Sequence, residues 1–394
     1  MIDKKIEVVP GYSWFGKNIG IKDSTLDFGG ILSDKICNAA GVFTKNTMPG
    51  APVTVGKEHL KDGKLQAVIV NSKNANVATA VQGVKDSKTI CSLLAKNCGI
   101  QTEMVLPSST GVIGLRLPMD IITEGCKGLK QDFGKTEQHI RDFAHSIMTT
   151  DTRPKWVTGK AGNAKILGIA KGSGMIEPNM ATMLCYFMSD AEIASDKLHH
   201  VLVNAVNKSF NRISVDTDTS TSDTVVVLCN GLAGAVDPEE FEKTLSEMAI
   251  FLAKEIARDG EGATKLIELI VSGAQTQEQA LLTAKSVVNS PLVKTAIYGG
   301  DPNWGRFVMA IGKVFQYSVD ISDLKIFFGE GNNRIKLDAE TLDQDKVPLE
   351  EISKILGNSE VHIEIVLGQG PYVERVWGCD LTEGYIDINA HYTT

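Results

Sequence analysis

Short β-branched apolar runs alternate irregularly with apolar stripes at helical spacing, and this mixture restricts the chain to an architecture of sheets and helices together. Ala67–Asn71 (AVIVN), Thr224–Cys229 (TVVVLC) and Lys265–Val271 (KLIELIV) predict buried strands. AVIVN opens into the turn-rich NSKNANVATA, followed by a helical pattern through about Lys96. Ile140, Phe143, Ala144, Ile147 and Met148 share one face of a helix over 135–148. Leu198, Val201, Leu202 and Ala205 do the same over 195–210, where Ser195 reads as the N-cap. Phe241, Leu245, Met248, Leu252 and Ile256 form a third stripe. Residues 20–55 read as short strands and turns. Beyond about residue 285, KIFFGE, VHIEIVLG and ERVWGCDLT predict a strand-rich C-terminal part. There is no internal repeat, so the class is α/β or α+β with mixed sheets.

The 394 residues leave room for two or three domains, and a hydrophobic content of 43% can fill a sizeable core. A net charge of −8 argues against a general nucleic-acid binder, which needs a basic face. The opening MIDKKIEVVPGYSWFGKN lacks the apolar core of a secretion signal. No segment approaches the ~18 uninterrupted apolar residues of a membrane span. Seven cysteines lie scattered with no C-x-x-C, which predicts reduced, mostly buried thiols in a cytoplasmic protein and no zinc site.

Several motifs fail on inspection. In KGSGMIEP the lysine precedes the glycines, so it is no phosphate loop, and Glu177 occupies the place of the third glycine in G-x-G-x-x-G. DTDTSTSD at 216–223 lacks the central Gly and final Glu of a calcium loop and reads as a turn before TVVVLC. His199 and His200 are adjacent on a predicted helix, where one at most faces the core. Neither H-E-x-x-H nor G-x-S-x-G occurs.

Thr182 offers a different chemistry. A threonine hydroxyl needs a base to become a nucleophile. A threonine that begins a chain carries one in its own α-amine, whose pKa is about 7.7–8.0 against ~10.4 for lysine. Roughly one in ten such amines is neutral at pH 7, and burial or a nearby cation such as Lys171 raises that fraction. Thr182 is internal as encoded, so this route requires cleavage of Ala181–Thr182, with the hydroxyl attacking the preceding carbonyl and water hydrolysing the resulting ester. The small Ala181 leaves that carbonyl open, and β-branching stiffens the threonine. On these residues alone, MATMLCYF also reads as packed core.

KGSGMIEPNMATML followed by SDA at 189–191 closely resembles the self-cleavage segment of the ornithine acetyltransferases, also called glutamate N-acetyltransferases. NAAGVFTKNTMPGAPV at 38–53, PSSTGVIG at 107–114, MTTDTRPK at 148–155, DGEGATK at 259–265, GGDPNWGR at 299–306 and the final NAHYTT match in the family's order, over essentially the full length. One departure is Lys73 in NSKNAN, where the family pattern has glycine; by sequence it lies away from the chemistry.

The resemblance implies a layered αββα-type sandwich like that of N-terminal-nucleophile enzymes, with a smaller strand-rich C-terminal domain. It places the catalytic region at 1–280 and the C-terminal domain at 281–394. It implies cleavage into an α chain, 1–181, and a β chain, 182–394, that stay together, with αβ units pairing as a dimer. The reaction implied moves acetyl from N-acetylornithine to glutamate in arginine biosynthesis, ping-pong through an acetyl-Thr182 enzyme. Some members of the family also take acetyl-CoA as donor. No metal or prosthetic group is expected. Thr110 and Gly111 are implied as the oxyanion donors. Thr149, Lys171, Thr182, Glu261, Asn389 and Thr394 are implied as substrate contacts, with Thr150 an alternative to Thr149 and the chain end closing over the site. A self-cleaving amidohydrolase or aminopeptidase of related fold is the alternative activity.

Overall fold

The computed structural model describes residues 2–177, 183–343 and 347–392. The chain forms two units, one from Met1–Asn211 and Asp218–Ile256, the other from Arg212–Thr217 and Ala257–Thr394. In chain order the first unit holds β1 (Tyr12–Lys17), β2 (Phe28–Phe43), α1 (Ala51–His59), β3 (Lys64–Asn71), α2 (Ala80–Cys98), β4 (Val105–Ser109) and α3 (Met119–Gly125). It continues with α4 (Glu137–Ser146), β5 (Lys155–Ala161), β6 (Ala164–Lys171), β7 (Leu184–Glu192) and α5 (Ser195–Lys208). The short β8 (Ile213–Ser214) belongs to the second unit; β9 (Thr224–Ala235) and α6 (Pro238–Arg258) follow it.

Among the described residues the first unit has one sheet, ordered β4-β3-β2-β9-β7-β6-β5, with β1 paired to β2. β2 is the pivot. Its first residues pair with β1 and β3, its last with β9, and the register shifts between Leu32 and Cys37. Such a shift bends a strand. The polar Ser33-Asp34-Lys35 at the shift makes this 16-residue strand read in sequence as several short ones. The Tyr12 hydroxyl of β1 lies 2.8 Å from the Leu228 carbonyl and 3.0 Å from that of Ser189, so β1 sits against β9 and β7.

Period-two alternation divides the two faces. Leu167, Ile169, Tyr186, Met188, Val226 and Leu228 pack with Ile140, Phe143, Ala144 and Ile147. Ala67 and Ile69 point the other way, onto Ile90, Cys91, Leu94 and Ala95 of α2. Each large side chain so buried contributes about 1.5–3 kcal/mol relative to exposure. One helix boundary differs from the sequence reading. Ser195 is the first residue of α5, with Ala194 in the cap position, and its hydroxyl donates to the Gly63 carbonyl at 2.8 Å.

The second unit contains β10 (Leu266–Ala274), α7 (Gln277–Val288), α8 (Pro291–Gly299), α9 (Gly305–Gly312), β11 (Lys325–Phe328), β12 (Ile335–Leu337), α10 (Ala339–Asp343), α11 (Leu349–Leu356), β13 (Glu360–Val366), β14 (Tyr372–Cys379) and α12 (Glu383–Ala390). Its sheet runs β12-β11-β13-β10-β14-β8. β10 lies between a parallel β13 and an antiparallel β14. KLIELIV therefore belongs to this sheet, in the unit formed by Arg212–Thr217 and Ala257–Thr394. The strands expected in this region are present. The helices between them were not anticipated, because most are runs of nine residues or fewer, which show too few turns for a clear stripe. The chain is α/β with two mixed sheets. All seven cysteines are free and six are buried. No described helix is long and apolar enough to cross a membrane.

Candidate active site

β6 ends at Lys171, whose ammonium donates to two threonine hydroxyls, Thr110 Oγ1 at 3.1 Å and Thr149 Oγ1 at 3.0 Å. Three separate motifs, KGSG, SSTG and TTDT, are thus brought together on one nitrogen. A hydroxyl that accepts from an ammonium keeps its own proton to donate elsewhere. Lys171 therefore leaves Thr110 poised as a donor. Of the two candidates in TTDT, it is Thr149 that contacts Lys171.

The Thr110–Gly111 turn is held by the NSKNAN segment. Thr110 N–H donates to Asn71 O at 3.1 Å, and Val112 N–H to Lys73 O at 2.9 Å. Ser109 Oγ donates to Asn71 Oδ1 at 2.6 Å, and Asn71 Nδ2 to Asn74 O at 2.8 Å. Gly111 has φ +129°, and a Cβ there would stand 2.2 Å from the Lys73 carbonyl carbon. Only glycine fits such an approach. Among the described residues nothing accepts from the Gly111 N–H, which leaves it able to bind an oxyanion. Lys73 itself has φ +76°, a conformation suited to glycine. The sequence reading placed Lys73 away from the chemistry; instead its backbone abuts Gly111.

Asp151 organises the cluster from below and was missed in the sequence, although TTDT displays it. Its Oδ1 accepts from Lys155 Nζ at 2.7 Å and from the Gly172 N–H at 2.6 Å. Oδ2 accepts from the Thr149 N–H at 3.1 Å and lies 4.0 Å from Lys171 Nζ. Burial alone would raise the Asp151 pKa, but the Lys155 and Lys171 ammoniums and these hydrogen bonds hold it well below the usual carboxylate range. Lys22 was missed too, since nothing marks it in the sequence. Its ammonium donates to Met148 O at 2.7 Å, beside Thr149. Burial lowers its pKa to about 8; Asp27 and Asp151 oppose the shift, and Lys171 and Lys73 add to it.

In the second unit, buried Glu261 accepts from Asn389 Nδ2 through Oε2 at 2.7 Å. DGEG and NAHYTT, far apart in sequence, therefore meet. α12 is fastened to the 259–265 loop at several points. Thr382 Oγ1 donates to Gly262 O at 2.6 Å, and Asp380 Oδ1 accepts from the Thr264 and Lys265 N–H groups at 2.8 and 3.0 Å. Gly262 has φ +69° and passes so close to α12 that a Cβ would lie 2.4 Å from Tyr385 N. Ala181, Thr182 and Thr394 lie outside the described residues.

The model of the ArgJ family matches residues 13–394. The chain is 49% identical over 383 residues to the arginine biosynthesis bifunctional protein ArgJ 2 of Clostridium acetobutylicum, covering 97% of each. It is 42% identical over 373 residues to the glutamate N-acetyltransferase Oat2 of Streptomyces clavuligerus, covering 94% of each. Among solved structures, ornithine acetyltransferase complexed with ornithine from Mycobacterium tuberculosis is similar at 32% identity and a TM-score of 0.43, over 46% of this chain and 99% of that one. The chain belongs to the ArgJ family, and with it to the acyltransferases of arginine biosynthesis.

Proposed function

We propose that the chain cuts itself between Ala181 and Thr182 and then transfers acetyl from N-acetylornithine to glutamate through an acetyl-Thr182 ester. The observation that carries this reading is the convergence of Thr110, Thr149 and Lys171 beside the uncommitted Gly111 N–H. The α-amine of Thr182 takes the hydroxyl proton as Oγ attacks the acetyl carbonyl. The Thr110 hydroxyl and Gly111 N–H receive the oxyanion. The ammonium of Thr182 then returns the proton to the departing ornithine nitrogen. Glutamate's α-amine attacks the ester, and the same amine carries its proton back to Thr182 Oγ.

Lys171 pairs with a substrate carboxylate, and Glu261 with Asn389 offers an anion and an amide to a substrate amine. The covalent route needs no metal or prosthetic group. The name of the Clostridium relative, a bifunctional protein, supports acetyl-CoA as a second donor. The biosynthetic role supports a cytoplasmic site of action, and pairing of αβ units into a dimer is part of the same proposal.

Terminal sequencing of active protein tests this reading. A second polypeptide beginning Thr-Met-Leu-Cys is expected; full activity from a single chain beginning at Met1 would overturn it. Glutamate, and not water, should take the acetyl group from the ester. Release of acetate at the same rate without glutamate would favour a hydrolase.

A further inference from the structure

Lys73 combines a strained backbone with an ammonium that the fold does not use. Its φ of +76° lies in the left-handed region, where glycine escapes the clash that a longer side chain meets. The side chain is exposed, and among the described residues its ammonium has no hydrogen-bond or ion-pair partner. Backbone strain of this kind collects at ligand sites.

Both neighbours of Lys73 fix its place. On one side, Asn74 bridges to Thr110 and to Val112, and the Val112 N–H donates to the Lys73 carbonyl at 2.9 Å. On the other, the Ser72 N–H donates to Asp27 O at 2.9 Å, and Ser72 Oγ to Ser146 O at 2.7 Å. Asp27 Oδ2 accepts from the Lys22 N–H at 2.8 Å, and Lys22 Nζ donates to Met148 O, one residue before Thr149. Lys73 thus stands between the Thr110–Gly111 turn and the stretch that carries Thr149. Burial lowers the Lys22 pKa to about 8, and Lys171 and Lys73 add to the shift, so the three ammoniums share one neighbourhood. The acids there are already engaged. Asp27 accepts from the Ile19 and Lys22 N–H groups, and Asp151 from Lys155 and Gly172. Such a cationic rim favours an anionic ligand.

We propose that Lys73 binds the side-chain carboxylate of glutamate and so selects the acidic acceptor. This deepens the transfer reading above and rests on it. N-acetylornithine and glutamate share an α-carboxylate, which Lys171 takes. Their tails differ: one ends in an ammonium, the other in a second carboxylate. An ammonium at Lys73 repels the first tail and pairs with the second. Its side chain gives up no internal contact, so it swings into solvent while ornithine is bound and returns for glutamate. The reach agrees with a small acid. The two carboxylates of glutamate stand ~5 Å apart, and a lysine ammonium extends ~6 Å from its Cα. The phosphates of a coenzyme A donor lie a whole pantetheine chain from the thioester, beyond the reach of a residue that abuts the oxyanion turn.

The test measures kcat/KM for glutamate and for its uncharged counterpart glutamine as acetyl acceptors from N-acetylornithine. It compares wild type with Lys73→Met, Lys73→Arg and Lys73→Gly. The glutamate-to-glutamine ratio should fall about fivefold in Lys73→Met, the upper range for an exposed ion pair, and stay near wild type in Lys73→Arg. Lys73→Gly relieves the strained φ, so it should melt no lower than wild type and still lose the preference. Added salt should shrink the ratio in wild type and leave it unmoved in Lys73→Met. An unchanged ratio in Lys73→Met overturns the inference, whether both rates hold or fall together, since a merely structural role moves them alike. A wild type that takes glutamate and glutamine equally overturns it too. Both results leave the transfer reading standing while glutamate still accepts acetyl; acetate release at the same rate without glutamate defeats that reading instead.

Discussion

Asp151 Oδ1 accepts from Lys155 Nζ at 2.7 Å, four residues along the chain, with neither side chain exposed to solvent. Removing one partner of such a pair strands the other, at a cost of about 3–5 kcal/mol. Lys155→Met should therefore lower the melting temperature sharply, while Asp151→Asn with Lys155→Met should be milder than the sum of the single changes. Additive losses in a double-mutant cycle would contradict the coupling.

The same carboxylate predicts a pH dependence. Its folded pKa is depressed below the unfolded value of about 3.9. The unfolded chain then binds the proton more readily, so the contribution is fully present above about pH 4 and fades as pH falls below it. Denaturant melts should show wild type and Asp151→Asn converging in stability as pH falls below about 4. A gap that stays constant to the lowest foldable pH would count against the depressed value.

Lys22 predicts the opposite limb. Its folded pKa of about 8 lies below an ordinary lysine's. Between the two values the unfolded chain holds more protons, so stability attributable to Lys22 rises with pH from about 8 towards 10. Lys22→Met should lack that rise. Parallel stability–pH curves for the two proteins over this range would refute the assignment.

Thr110→Ala should slow both self-cleavage and turnover by about 10²–10³-fold, the usual effect of losing one oxyanion donor. Thr110→Ser, which keeps the hydroxyl, should recover most of both rates. Timed gel analysis of the cut and steady-state kcat decide this; loss of turnover with normal cutting would separate the two sites.

What was legible depended on how local the signal was. Ala67–Asn71 and Thr224–Cys229 announce themselves as continuous apolar runs, because both faces are buried, and the α4 and α6 stripes by periodicity, because each helix buries one face. β2 did not, since its register shift carries polar residues through the middle of one strand. In the site, Thr110, Thr149 and Lys171 were readable through motifs that keep their spacing. Asp151 and Lys22 act through burial and through contacts that include neighbours distant in sequence, Gly172 for Asp151 and Met148 for Lys22. None of these relations leaves a linear pattern. Lys73 shows the converse: a departure from glycine was visible, but its contact with Gly111 was not.

Gly262 is the sharpest test of how α12 is held. At φ +69° an alanine is strained, and its Cβ would meet Tyr385 N at 2.4 Å and the Gly384 carbonyl carbon at 2.5 Å. Both contacts are backbone, so no rotamer change relieves them, and the destabilisation should exceed the ~1 kcal/mol typical of a tolerated glycine replacement. The helix would move off the loop, and the Glu261–Asn389 hydrogen bond would be lost with it. Gly262→Ala should therefore speed amide exchange over 383–390 while the strands of the second sheet stay protected. Asn389→Ala removes the hydrogen bond without the clash and should give a smaller increase confined to the same helix. Equal protection of α12 in Gly262→Ala and wild type would mean that the loop does not fasten it.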